Sequence, residues 1–156
     1  MNKNRIYFSQ SPKPTLGVEA ELYTVSKDTF NLCSGAPAIL DTFADDIHVK
    51  EELLECIVEV NTGICNDVAE IRSDLANTIS KVQKVANEND MELVSISTHP
   101  FALWKDQTIT KSQRYINFME RMQWTVRRLI ITGLHVHVGV QSGEKAIAIT
   151  NGMTRY

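Results

Sequence analysis

The sequence predicts an α+β fold, with a mainly antiparallel sheet and helices packed on one face. Three observations carry this expectation. Residues 15–23 and 134–140 alternate apolar and polar side chains, the period of a half-buried strand, and residues 54–62 have the β-branched content of one. Two other stretches, beginning near residues 67 and 110, repeat apolar residues at three- and four-residue steps, the period of a helix lying on a core. The early strand-like stretches cluster instead of alternating evenly with helices, which disfavours a doubly wound parallel sheet.

Taken in order, residues 1–14 are polar, carry Pro12 and Pro14, and read as an extended arm ahead of a domain at 15–156. The first strand runs from Thr15 to Tyr23. Side chains alternate across a strand, so Val18, Ala20 and Leu22 face one way and Glu19, Glu21 and Tyr23 the other. Ser26-Lys27-Asp28 signals a turn into a short extended piece at 29–33, which Ser34-Gly35-Ala36-Pro37 breaks. A short helix is expected at 39–44. The strand at 54–62 sets Cys56, Val58 and Val60 against Ile57, Glu59 and Asn61.

Asp67 and Glu70 fit a capping box at the head of a helix carrying Val68, Ile71, Leu75, Ile79, Val82 and Val85. The polar run Asn87-Glu88-Asn89-Asp90 ends it. Residues 91–97 read as a strand entering the loop Thr98-His99-Pro100-Phe101. A second helix is expected from Thr110 through Leu129, with Tyr115, Met119, Met122 and Val126 as a core stripe. Gly133 stops it. In the strand that follows, Val136, Val138 and Val140 are expected to be buried, while His135, His137 and Gly139 line the other face. A last helix begins at Glu144, and the sequence reaches Tyr156 with no terminating element, as though cut within a larger structure.

A chain of 156 residues can bury one real core. Lys and Arg number 16 against 19 Asp and Glu, and no basic stripe stands out, which argues against nucleic acid as a partner. No apolar run is long enough to span a bilayer or serve as a signal peptide, so no membrane partner is expected. Cys33, Cys56 and Cys65 give an odd count without a CxxC pair, which reads as reduced thiols in a cytoplasmic protein.

The chemistry gathers on one set of strand faces. Glu19 and Glu21, two residues apart, lie roughly 7 Å from each other and repel when ionised. A hard divalent cation such as Mg²⁺ or Mn²⁺ would remove that repulsion; a solvent-facing edge strand would tolerate it. Glu59 interrupts an apolar run, where a buried carboxylate needs a partner. It reads as a third metal-facing carboxylate or as an exposed edge residue. His135 and His137 alternate with valines and could ligate metal or donate to phosphate oxygens. No phosphate-binding glycine loop accompanies them. A zinc hydrolase built on two histidines and a carboxylate is conceivable, but the surplus of carboxylates favours a harder ion.

An ordered set of motifs narrows this. Gly17-Val18-Glu19-Ala20-Glu21, Glu51-Glu52-Leu53 through Val58-Glu59-Val60-Asn61-Thr62-Gly63, Ser97-Thr98-His99-Pro100-Phe101 with Arg114-Tyr115, and Gly133-Leu134-His135-Val136-His137-Val138-Gly139 occur in succession. Together they resemble the N-terminal portion of the glutamate–cysteine ligase type 2 family, bacterial carboxylate–amine ligases of the glutamine-synthetase-like superfamily. The resemblance implies a sheet face that binds Mg–ATP and amino-acid substrates, and an amide formed through an acyl phosphate. It implies Glu19, Glu21 and Glu59 as metal ligands, with His135, His137, Glu52 and Asn61 around the nucleotide. His99 and Arg114 match motif positions, and Arg114 suits an anionic phosphate or carboxylate. Family members run to more than twice this length. A half-sheet exposes an edge and an uncovered face, so a homo-oligomer is expected. A truncated, non-catalytic homologue that folds and self-associates is the alternative.

Overall fold

Strand β1 (Thr15–Ser26) is the axis of the protein, and three other strands pair with it. The computed structural model describes residues 7–156. In chain order the further elements are α1 (Ala36–Thr42), β2 (Val49–Glu51), β3 (Ile57–Asn61), α2 (Val68–Glu88), β4 (Met91–Val94), α3 (Gln113–Met122), α4 (Trp124–Arg127), β5 (Leu134–Gly139) and α5 (Gly143–Met153). The sheet runs β2-β3-β1-β4, every pairing is antiparallel, and β5 pairs with β1 beside β4. β3 takes one edge of β1 along Glu19–Tyr23. On the other edge β5 covers Thr15–Ala20 and β4 covers Tyr23–Ser26, end to end.

The alternation in β1 divides the molecule. Its even-numbered side chains point to α1 and α2, where Leu22 joins Val58, Val60, Ile39, Val82 and Met91 in one buried cluster. Each such side chain stabilises the fold by about 1.5–3 kcal/mol once withdrawn from water. The odd-numbered side chains face the opposite side. There Tyr23 and Val25 are buried with Ile57, Leu54, Tyr115 of α3 and Val126 of α4. The two short helices therefore roof one end of the second face and leave the Glu19–Glu21 end accessible.

Helix α2 begins as its sequence dictates. Asp67 Oδ1 accepts the Glu70 amide at 2.9 Å, and Glu70 Oε2 accepts the amide of Asn66, one residue ahead of the cap, at 2.6 Å. Free backbone donors at the helix start are thus satisfied from both directions.

Several boundaries differ from the sequence expectation, each for a local reason. β1 continues to Ser26, because β4 offers it a partner there. The piece at 29–33 forms no strand, and Leu32 makes an isolated bridge to Val25. Pro37 opens α1 instead of breaking the chain, since its fixed φ and missing N–H suit the first helical turn. β3 starts at Ile57, and Leu54 bridges to Ile109 instead. β4 stops at Val94. The expected second helix is two, because Gln123 sits at φ 52° between them, a left-handed conformation that interrupts the helical hydrogen bonds.

The largest departure is β5. Val140 is buried, but Val136 and Val138 are 60% and 54% exposed, with no helix among the described residues covering them. Of the expected arm, residues 1–6 lie outside the described residues. Residues 7–14 carry neither helix nor strand, and the Ser11 amide donates to Val140 O at 2.9 Å, tying this segment to the end of β5.

Candidate functional site

Cross-strand register places the unusual residues opposite one another. Glu21 stands opposite Glu59, Glu19 opposite Asn61 on one side and His135 on the other, and Gly17 opposite His137. Directly paired residues share a face, so these side chains form one polar row across β3, β1 and β5. β2 extends it, because Lys50 stands opposite Glu59.

The row divides into two groups. Ligand oxygens of Glu21, Glu59 and Glu52, the last just beyond β2, all lie within 4.8 Å of one another. Glu59 is 9% exposed and is held by Asn61 Nδ2, which donates to Oε1 at 2.7 Å, and by Lys50 Nζ at 3.6 Å. Glu21 Oε2 accepts the Gly133 amide at 2.8 Å, and Glu52 Oε2 accepts the Leu53 amide at 2.8 Å. Burial raises the Glu21 carboxyl above the ordinary carboxylate range; the Gly133 hydrogen bond opposes this, and the charges of Glu52 and Glu59 add to it.

Glu19 belongs to the second group. Its Oε2 lies 3.3 Å from His135 Nδ1 and 3.3 Å from His137 Nε2. Burial pushes Glu19 upward, but hydrogen bonds and charge from the two histidines outweigh it and hold the carboxyl below its usual range. Both imidazoles are spoken for by one carboxylate, whereas the three-carboxylate group offers oxygen alone. An all-oxygen set suits Mg²⁺ or Mn²⁺ better than zinc. The Oδ1 of Asn61, buried beside Glu59 with no hydrogen-bond donor among the described residues, is a further oxygen ready for a cation or donor.

Two cavities of about 520 Å³ each flank the row. The first lies under α3, with Glu21, Glu52, Arg114, Arg121 and His135 as its charged and polar lining and Phe118, Leu129 and Ile131 as its apolar wall. The second lies on the far side of Glu19, with His48, Lys50, Asn61 and His137 around Gly17. Arg114 stacks its guanidinium 5.1 Å from the centre of the Tyr115 ring, which fixes it at the mouth of the first cavity.

His99 stands apart from both cavities. It is buried, its Nδ1 accepts the Ala102 amide at 3.2 Å, and Nε2 meets Phe30 O at 2.9 Å. That set requires the proton on Nε2. Its ring also packs edge-on to Tyr23 and Phe101. His99 therefore bolts the loop after β4 to the turn after β1, where Phe30 sits at φ 55°.

Lys50, Phe118 and Arg121 are among the cavity residues that escaped the sequence reading. Arg114, Phe118 and Arg121 follow steps of four and three, so they share a helix face beside the Tyr115–Met119 core stripe, and that spacing is the signal that could have found them.

Comparison with known proteins bears on the family and the fold. The model of glutamate–cysteine ligase family 2 matches residues 15–156. The chain is 40% identical over 156 aligned residues to a Gloeobacter violaceus protein named "Putative glutamate--cysteine ligase 2", covering 97% of this chain and 42% of that one. A protein of the same name from Mycobacterium tuberculosis is 39% identical over 152, covering 97% and 40%. The chain thus spans about two fifths of the length of these curated relatives.

Among solved structures, the glutamate–cysteine ligase of Francisella tularensis, determined in complex with AMP, superimposes with a TM-score of 0.64 at 15% identity, over 94% of this chain and 31% of that one. A bifunctional glutathione synthetase from Pasteurella multocida gives 0.61 at 15% identity, over 92% and 19%. At that identity the likeness speaks for the α+β fold. With the family model matched along all but the first 14 residues, this chain belongs to glutamate–cysteine ligase family 2.

Proposed function

We propose that this chain carries the nucleotide and metal face of an ATP-dependent carboxylate–amine ligase. The observation that carries the reading is the convergence of Glu21, Glu52 and Glu59 between two cavities on one sheet face. These carboxylates, with Asn61 beside them, would hold Mg²⁺ or Mn²⁺. Bound there, the ion would neutralise phosphate charge that otherwise repels an anionic acceptor.

The remaining residues have complementary roles. His135 and His137, steadied by Glu19, present imidazole donors toward phosphate oxygens, and Lys50 adds a cation at the same edge. Arg114 and Arg121 offer guanidinium groups to the carboxylate of an amino-acid substrate, while Phe118, Leu129 and Ile131 exclude water from one side of the cavity. In the proposed reaction a substrate carboxylate oxygen attacks the γ-phosphorus of ATP and ADP departs. An amine then attacks the resulting acyl phosphate, losing a proton and expelling inorganic phosphate. Glutamate and cysteine are the substrates that the family name supplies. ATP supply and the three free thiols fit a cytoplasmic setting. Among the described residues no helix is long and apolar enough to cross a membrane.

The test is to incubate the protein with ATP, Mg²⁺ and single amino acids, with hydroxylamine present to trap an acyl phosphate. Expected are ADP release and hydroxamate formation that both require the same amino acid. ADP release indifferent to the amino acid, or none from folded protein, contradicts the reading.

A further inference from the structure

We propose that the hydroxyls of Thr110 and Tyr115 are positioning groups that aim Glu52 at Glu21 and Glu59. The inference deepens the ligase reading and rests on Glu52 being a cation ligand. Glu21 and Glu59 stand directly opposite each other on paired strands, so the ladder between β1 and β3 fixes their spacing. Glu52 has no such support. β2 is a three-residue strand at the rim of the sheet, and its ladder with β3 stops at the pair Glu51–Val58. A carboxylate one residue past that end needs another hold on its backbone to join a cluster whose oxygens lie within 4.8 Å of one another.

The segment leading into α3 supplies that hold. Three consecutive carbonyls accept donors from it: Glu51 O from the Tyr115 hydroxyl at 3.4 Å, Glu52 O from the Thr110 hydroxyl, and Leu53 O from the Thr110 amide at 2.9 Å. The Glu55 amide donates to Thr108 O at 3.0 Å and Leu54 bridges to Ile109, so the two segments run side by side. Tyr115 is 3% exposed and packs in one cluster with Leu53, Leu54 and Ile57, which fixes where its hydroxyl points. Burial, and after it the charge of Glu52, push that hydroxyl up, so the phenol stays a protonated donor. Tyr115 and Glu52 also line the same cavity. Neither hydroxyl belongs to the oxygen set itself. Each acts through Glu52, as the partners behind a metal ligand do when they hold it in the orientation that binds.

The test titrates Mn²⁺ into the chain and reads the free ion by electron paramagnetic resonance, for the unaltered protein, Tyr115→Phe, Thr110→Val and Thr110→Ser. Phenylalanine and valine keep the shapes and lose the hydroxyls, whereas serine keeps one. Tyr115→Phe and Thr110→Val are each expected to raise the Kd for Mn²⁺ about tenfold, and Thr110→Ser to restore it. A purely structural role would give the same loss whatever stands at position 52. The deciding arm therefore repeats Tyr115→Phe and Thr110→Val on Glu52→Gln, where neither is expected to weaken Mn²⁺ further. Unchanged affinity in the single variants, or an equal loss on the Glu52→Gln background, overturns the proposal and leaves the ligase reading standing. Folded, unaltered chain that takes up no Mn²⁺ overturns the cation site of the ligase reading and the proposal with it. If Tyr115→Phe loses its native circular dichroism, the valine and serine variants at Thr110, which leave the core ring intact, decide alone.

Discussion

Replacing Glu21 with glutamine should make the metal-free protein more stable and its response to magnesium weaker. The oxygens of Glu21, Glu52 and Glu59 lie within 4.8 Å of one another. At that spacing each ionised pair repels by about 3 kcal/mol at an effective dielectric constant of about 20. Lys50 already offsets much of the charge on Glu59. Solvent and salt reach the open cavity, so the surviving penalty on Glu21 is about 1–2 kcal/mol. The sign follows from its titration. A carboxyl raised in the folded state costs stability once pH passes its raised value, so at neutral pH the glutamate carries the penalty and glutamine does not. Glutamine also keeps an oxygen for the Gly133 amide.

In a chelator, Glu21→Gln should therefore melt about 3–6 °C higher than the unaltered protein. Mg²⁺ at about a hundred times its Kd adds about 2.7 kcal/mol to a protein that binds it. The unaltered protein should gain most of that and the variant little of it, so the two melting curves cross as Mg²⁺ is added. A variant less stable than its parent in chelator, or a parent indifferent to Mg²⁺, would refute the reasoning.

Three further outcomes are expected. The Mg²⁺-dependent rise in melting temperature should shrink as pH falls through the raised range of Glu21, because a proton then competes with the cation; melting series at several pH values in matched ionic strength check it. His99→Ala should cost about 2–4 kcal/mol in urea denaturation by releasing Phe30 O and the Ala102 amide, yet leave the Mg²⁺ response unchanged. Gly139→Ala should cost about 1–3 kcal/mol, since a Cβ there strikes Thr15 Oγ1 and Ser11 Oγ at the β1–β5 pairing, and thermal melting reads it directly.

Much of the site was legible because strands write their faces at a period of two. Glu19, Glu21, Glu59, Asn61, His135 and His137 each stood out as polar positions in apolar runs, and the register sets them in one row. What periodicity does not encode is which carboxylates converge. Glu52 reaches Glu21 and Glu59 from the end of a three-residue strand too short to leave a pattern, whereas Glu19, equally prominent in sequence, turns to the histidines. The break at Gln123 was hidden because a left-handed glutamine has no sequence signature of the kind glycine provides. Burial of Val136 and Val138 was inferred from alternation alone, and alternation states which side chains share a face, not whether anything covers that face.

The most direct measurement is calorimetric titration of the protein with ATP, with and without Mg²⁺, beside a variant carrying Glu21→Gln and Glu59→Gln together. Expected is saturable ATP binding that requires Mg²⁺ and disappears in the variant while its circular dichroism stays unchanged. Binding that ignores Mg²⁺, binding that survives both substitutions, or no binding by folded protein would contradict a nucleotide–metal face built on Glu21, Glu52 and Glu59.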